Sequence, residues 1–141
     1  MAGVQTTRSP DSRTRPTPGP ALRAASWLAV VTGVGTATLT VGHSGVTVPL
    51  VSALGPGGGD PVWPAAAGFA VATALFAAIA VGLFRRRAWA WPLATVVNGL
   101  VAASGVLQFR GAVSAVGVAL GLASLVLLLT PAVRRELLPR D

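Results

Sequence analysis

Cysteine is absent from the sequence, which excludes a disulfide and any thiolate metal site. Lysine is absent as well. All eleven basic residues are arginine, and the Ala/Gly/Val/Arg richness around them reads as a GC-rich bacterial coding bias. Acids are scarce: Asp11, Asp60, Glu136 and Asp141 all fall in termini or loops, none inside an apolar run. No two of them are placed to flank a substrate bond, so paired-carboxylate chemistry lacks its parts. His43 is the only histidine and cannot by itself build a metal cluster or a Ser-His relay. The chain is therefore read as not an enzyme, with no catalytic residue, no cofactor and no metal.

Charge is thin overall. Charged residues make up 11% of the chain, against roughly 25% in an ordinary soluble domain. Hydrophobic residues reach 52% and mean hydropathy +0.69, which leaves too few polar groups to clothe a water-facing surface. Lipid is the solvent this composition suits. The formal charge of +7 raises nucleic acid as a partner, because a basic stripe neutralises phosphates. Here the arginines sit at the ends of apolar runs, without interleaved aromatics to stack on bases, so nucleic acid is not expected.

Four apolar runs carry the hydropathy, over residues 24–42, 65–84, 88–109 and 112–130. At about 1.5 Å per helical residue they match a hydrocarbon core of about 30 Å. None shows the polar stripe of a soluble helix, and four helices cannot enclose one another. The basic stretch before the first run also suits a cleaved signal peptide. That run is longer than the usual signal core, and three more follow, so an uncleaved helix is expected. Pro92 falls in the first turn of the third run, where its missing N–H is tolerated. The expected fold is an all-α membrane protein, four transmembrane helices in an up-down bundle over 23–135. It is flanked by a disordered Pro/Arg-rich tail (1–22) and a short C-terminal tail (136–141).

Between the second and third runs stands LFRRRAWAWP, residues 83–92. If the runs alternate sides, one side receives Arg8, Arg13, Arg15, Arg23, Arg85, Arg86, Arg87, Arg134, Arg135 and Arg140, and the other Arg110 alone. Positive charge is retained in the cytoplasm during insertion, which predicts that both termini are cytoplasmic. Trp27, Trp89 and Trp91 lie near the cytoplasmic ends of their runs and Trp63 at an external one, where indoles suit the headgroup level. The stretch thus reads as an inner-leaflet hairpin. Its functional counterpart is a candidate phosphate or anionic-lipid contact, Arg85, Arg86 and Arg87 with Arg134 and Arg135.

Inside the runs no ionisable group offers a route for coupled transport. The size is similar to that of the small multidrug transporters, yet their membrane-embedded glutamate has no counterpart here. Asn98, midway along the third run, is the candidate interhelical polar contact, with a small-molecule site as the alternative; Thr95, Ser104 and Gln108 lie along the same run. Small residues repeat every four positions at Ala66, Ala70, Ala74, Ala78 and Gly82, and at Gly111, Ala115, Ala119 and Ala123. These faces are expected to meet neighbouring helices, with Leu, Val and Phe toward lipid. Thr32, Thr36 and Thr40 share a face and are expected to bond their own backbone rather than line a hydrophilic path. His43 is expected as an interfacial residue, with a proton sensor as the alternative.

The external loop contains GPGGGD, which lacks the Lys-Ser/Thr of a phosphate loop and reads as a linker. Residues 46–54 are apolar enough to lie on the outer leaflet. Four short spans joined by an RRRAWAWPLA turn (85–94) resemble small uncharacterised integral membrane proteins of actinobacteria. The resemblance implies a plasma-membrane location and no activity. The expected function is a non-catalytic multi-pass protein of the bacterial plasma membrane. It would act as an accessory or interaction subunit, with anionic lipid, a second copy or another membrane protein as partner. The alternative is an oligomeric transporter or channel component for a small solute.

Overall fold

The computed structural model describes residues 17–47, 60–107 and 111–138, Val113 through its backbone alone. These residues form five helices and no strand: α1 Pro20–His43, α2 Trp63–Phe84, α3 Ala90–Leu107, α4 Ala112–Leu129 and α5 Pro131–Leu137. The first sixteen residues, most of the 46–54 segment, Gln108, Arg110 and Arg140 lie outside the described residues, and with them the expectations of a disordered tail and an interfacial loop. α1, α2 and α3 are each long and apolar enough to cross a membrane. α4 and α5 make a fourth such unit if the 68° bend between them is taken within one span.

The helix ends follow local chemistry. α1 begins at Pro20, ahead of the charge-free run, because Gly19 is extended (ψ 158°) and proline at the first helical position arrives with its φ preset. Leu22, only 1% exposed, is already core, so residues 20–22 belong to the helix and not to a tail. α1 closes at Ser44, followed by Gly45 in the left-handed region (φ 82°), where a missing Cβ removes the usual penalty. α2 closes by the same device without glycine. Arg87 N–H donates to Gly82 O at 2.9 Å, Arg86 N–H to Leu83 O at 3.0 Å, and Arg86 takes the left-handed position at φ 52°.

Pro131 ends α4 but starts a further helix, which corrects the expectation of a short tail from residue 136. Its ring removes the N–H that would serve Leu127 O, and Thr130 replaces it with its own N–H (3.1 Å) and hydroxyl (2.6 Å). Thr130 Oγ1 also accepts from Val133 N–H at 3.5 Å, capping α5.

α1 packs on α2, α2 on α3, α3 on α4 and α4 back on α1, a ring of four. α5 lies against α1 and α4. Val62 N–H donates to His43 O at 3.0 Å where α1 leads toward α2, and Trp27 meets Phe84 edge to face at 5.9 Å at the far end of that pair. α3 and α4 approach where a Cβ on Gly121 would lie 3.2 Å from Asn98 O, so only glycine fits without displacing backbone.

The interior corrects the expected orientation of the faces in part. Ala66 and Gly82 at the two ends of the α2 stripe are buried and Val71, Val81, Leu122 and Val126 are exposed, as expected. Ala70, Ala74, Ala78, Ala115, Ala119 and Ala123, however, are exposed, while Phe76, Ile79 and Leu83 of α2 and Leu128 of α4 are buried. A close helix pair needs small residues on only one partner. α1 supplies them: Ala25, Ser26, Ala29 and Thr32 are buried, and a Cβ on Gly33 would stand 3.3 Å from Phe76 Cβ.

Candidate functional site at the arginine end of the bundle

The ends of α1 and α4, the α2–α3 turn and α5 meet at one end of the bundle. Trp91, in the first turn of α3, turns its indole inward and donates Nε1–H to Leu128 O at 2.8 Å. That carbonyl belongs to the last turn of α4, where the bend at Thr130–Pro131 interrupts the helical ladder. The indole therefore caps α4 from a neighbouring helix. Across its ring lies the Arg134 guanidinium, 5.6 Å from the centroid, at a cation–π distance.

α5 is seated by Val133 (0% exposed) and Leu137 (4%), which join the core, while Arg134 and Arg135 face outward. Arg135 Nε–H donates back to Pro131 O at 3.1 Å. Glu136 reaches the start of α1, where its Oε2 accepts Gly19 N–H at 3.1 Å. A carboxylate here also meets the positive end of the α1 dipole, and α1 has no acid of its own in its first turn.

Arg23, Arg85, Arg86, Arg87, Arg134 and Arg135 are the arginines among the described residues, and all six lie at this end. The structure thus places the five arginines proposed from the sequence at the same end of the bundle, Arg85, Arg86 and Arg87 in the α2–α3 turn and Arg134 and Arg135 on α5, with Arg134 against Trp91. Arg85, Arg87, Arg134 and Arg135 are exposed and Arg86 is half-buried. Trp27 and Trp89 are exposed at the same end, and Trp63 at the other. Trp91 differs from them in packing inside, a role set by Pro131 and visible only once α4 is folded beside it.

No protein-family model matches the chain, and neither the curated proteins nor the solved structures provide a match. The site must therefore be read from its own chemistry.

Asn98 is 2% exposed between the helices, and its Nδ2–H donates to Ala94 O on its own helix at 2.8 Å. Its Oδ1 has no partner among the described residues, nor has the buried hydroxyl of Ser124. A hydrogen bond that joins two helices side chain to side chain was missed in the sequence: Thr73 Oγ1 lies 3.0 Å from Thr36 Oγ1. Thr73 sits alone in an Ala/Phe/Val run, and its register against Thr36 becomes legible only when α1 and α2 are laid antiparallel. Thr32, Thr36 and Thr40 each donate to their own helix, at Leu28 O, Gly33 O and Thr36 O.

At the end opposite the arginines, His43 places Nδ1 2.8 Å from Leu39 O and its ring 5.1 Å from Phe69. A carbonyl only accepts, so Nδ1 carries the hydrogen. Between α3 and α4 an outward groove of 520 Å³ is lined by Val106, Ala115, Val118, Ala119 and Leu122. The described residues that line it carry no polar side chain. No group of three His, Asp or Glu that could hold a metal occurs among the described residues.

Proposed function

We propose that the chain is a non-catalytic integral membrane protein of the bacterial plasma membrane, with its arginine end and both termini in the cytoplasm, serving as an accessory or interaction subunit. The observation that carries this reading is how little of the apolar helix surface is used within the chain. Only 22% of the most apolar window of α1 is buried, and 28% in each of α2 and α3. Surfaces of that kind are stable against hydrocarbon or against another apolar helix, and costly against water. The arginines at one end support the cytoplasmic assignment, because positive flanks are held back during insertion. The exposed Ala70–Ala74–Ala78 and Ala115–Ala119–Ala123 faces support the interaction role, since small residues let a partner helix approach closely.

Cell fractionation tests the embedding: the chain should stay with membranes through alkaline carbonate washing. Recovery as a folded monomer in the detergent-free supernatant would sink the proposal. The native chain has no cysteine, so single cysteines report orientation without background. Val46→Cys should react with an impermeant maleimide in intact cells and Ala88→Cys should not; the reverse result overturns the orientation. For the accessory role, a photocrosslinker at Ala74 or Ala119 should give protein-sized adducts in cells. Adducts to lipid alone would remove that role.

A further inference from the structure

We propose that the arginine end is a binding surface for anionic phospholipid, on which Arg134, held on the face of Trp91, and Arg85 and Arg87 of the α2–α3 turn take headgroup phosphates. The inference deepens the membrane reading and rests on it. Its first support is unspent charge. Arg85, Arg87 and Arg134 form no ion pair among the described residues, and Glu136, the one described acid at this end, has Oε2 already bonded to the Gly19 N–H. A guanidinium without a carboxylate presents a fork of donors that fits phosphate oxygens.

The second support is that part of the site is held in place before any ligand arrives. Trp91 is fixed at one edge by Leu128 O, and α5 is fixed beneath by Val133 and Leu137, so Arg134 is presented from a seated helix. The 68° bend turns α5 away from the α4 axis and across the end of the bundle, which aims Arg134 and Arg135 outward. Ala90 N–H donates to Arg87 O at 3.0 Å, which ties the arginine turn to the same first turn of α3 that carries Trp91.

The third support selects a lipid over a soluble anion. Phe84 directly precedes Arg85, and it is exposed together with its edge-to-face partner Trp27. Cationic groups bordered by exposed aromatic rings match a molecule whose anionic head joins an apolar tail. Free phosphate would use only the first half of that surface, and nucleic acid would leave the rings facing hydrocarbon.

Native mass spectrometry of the full chain in neutral detergent tests the site, with phosphatidylglycerol and phosphatidylcholine titrated separately. Phosphatidylglycerol should bind at least about tenfold more tightly. Arg134→Gln and Arg87→Gln should each weaken it by about fivefold, the worth of one basic residue at an anionic surface. Arg85→Gln, at an exposed position, provides a second variant should either of those fail to fold, and circular dichroism in detergent checks the fold. Equal affinity for the two lipids, or variants that keep full phosphatidylglycerol binding, would overturn the proposal. So would competition by millimolar inorganic phosphate that fully displaces the lipid, since the ligand would then be a soluble anion. Carbonate-resistant membrane association alongside any of those results sinks the lipid site alone; loss of that association sinks the membrane reading itself.

Discussion

Glu136 and Gly19 are joined by a hydrogen bond across 117 positions of sequence, the carboxylate of the last helix accepting the N–H that precedes the first. A side chain at position 19 would run into that carboxylate. Glu136→Ala is therefore expected to lower stability by about 1 kcal/mol, the loss of a charge-assisted cap at a helix start. Gly19→Ala should cost no more than that cap in the native chain, because the group in the way is the far end of a flexible side chain, and nearly nothing in Glu136→Ala. Thermal melts of the two single variants and the double in detergent check this. Strict additivity would show that the contact does not form.

Arg86 occupies a left-handed backbone position, φ 52°, that glycine fills at the end of α1. An L-residue there pays roughly 1 kcal/mol in contact between Cβ and the backbone. Arg86→Gly should be more stable than Arg86→Ala by about that amount. Arg86→Ala removes the same charge yet keeps the Cβ, so the difference between these two variants isolates the backbone. A melting temperature for Arg86→Gly no higher than for Arg86→Ala would mean that the turn is not strained.

What could be read from the sequence was the part governed by hydropathy alone. Runs such as Ala65–Phe84 announce themselves because twenty uncharged residues have no other stable use. The choice of buried face was not legible, because Ala70–Ala74–Ala78 and Phe76–Ile79–Leu83 are both apolar. Only the small residues of α1 opposite decide which set goes inside. α5 was hidden by reading Pro131 as a stop. Thr130 followed by proline is also the signature of a helix start, an N-cap and a residue with its φ preset, and it was the signal available. The six described arginines lie at one end of the bundle, but the contribution of Trp91 there depends on a carbonyl that the sequence does not show.

Trp91→Phe keeps an aromatic face for Arg134 and removes the donor to Leu128 O. The expected cost is about 1–2 kcal/mol, from leaving the carbonyl of a buried residue unpaired. Trp27→Phe should change stability by less than about 0.5 kcal/mol, because Trp27 is exposed and its indole N–H has no partner among the described residues. Parallel melts of the two variants in the same detergent check this. Equal losses would show that the indole hydrogen bond contributes nothing to holding α3 on α4.

Asn98 and Ser124 provide the opposite kind of test, because each buries a polar atom that gains nothing from its surroundings. Removing an unsatisfied hydroxyl takes away a desolvation penalty along with the group, so Ser124→Ala should be neutral within about 0.5 kcal/mol or slightly stabilising. Asn98→Leu removes the bond to Ala94 O and the orphaned Oδ1 together, and those two losses offset one another. Gly121→Val instead forces side-chain atoms against Asn98 O and Ala102 Cβ, already 3.2 and 3.5 Å from where a Cβ would stand. It should cost about 1–3 kcal/mol as overpacking. Melts of all three in one detergent should rank Gly121→Val far below the others. A large loss from Ser124→Ala would instead mean that its hydroxyl is paired in solution, and that α3 and α4 are held by a polar contact as well as by close packing at Gly121.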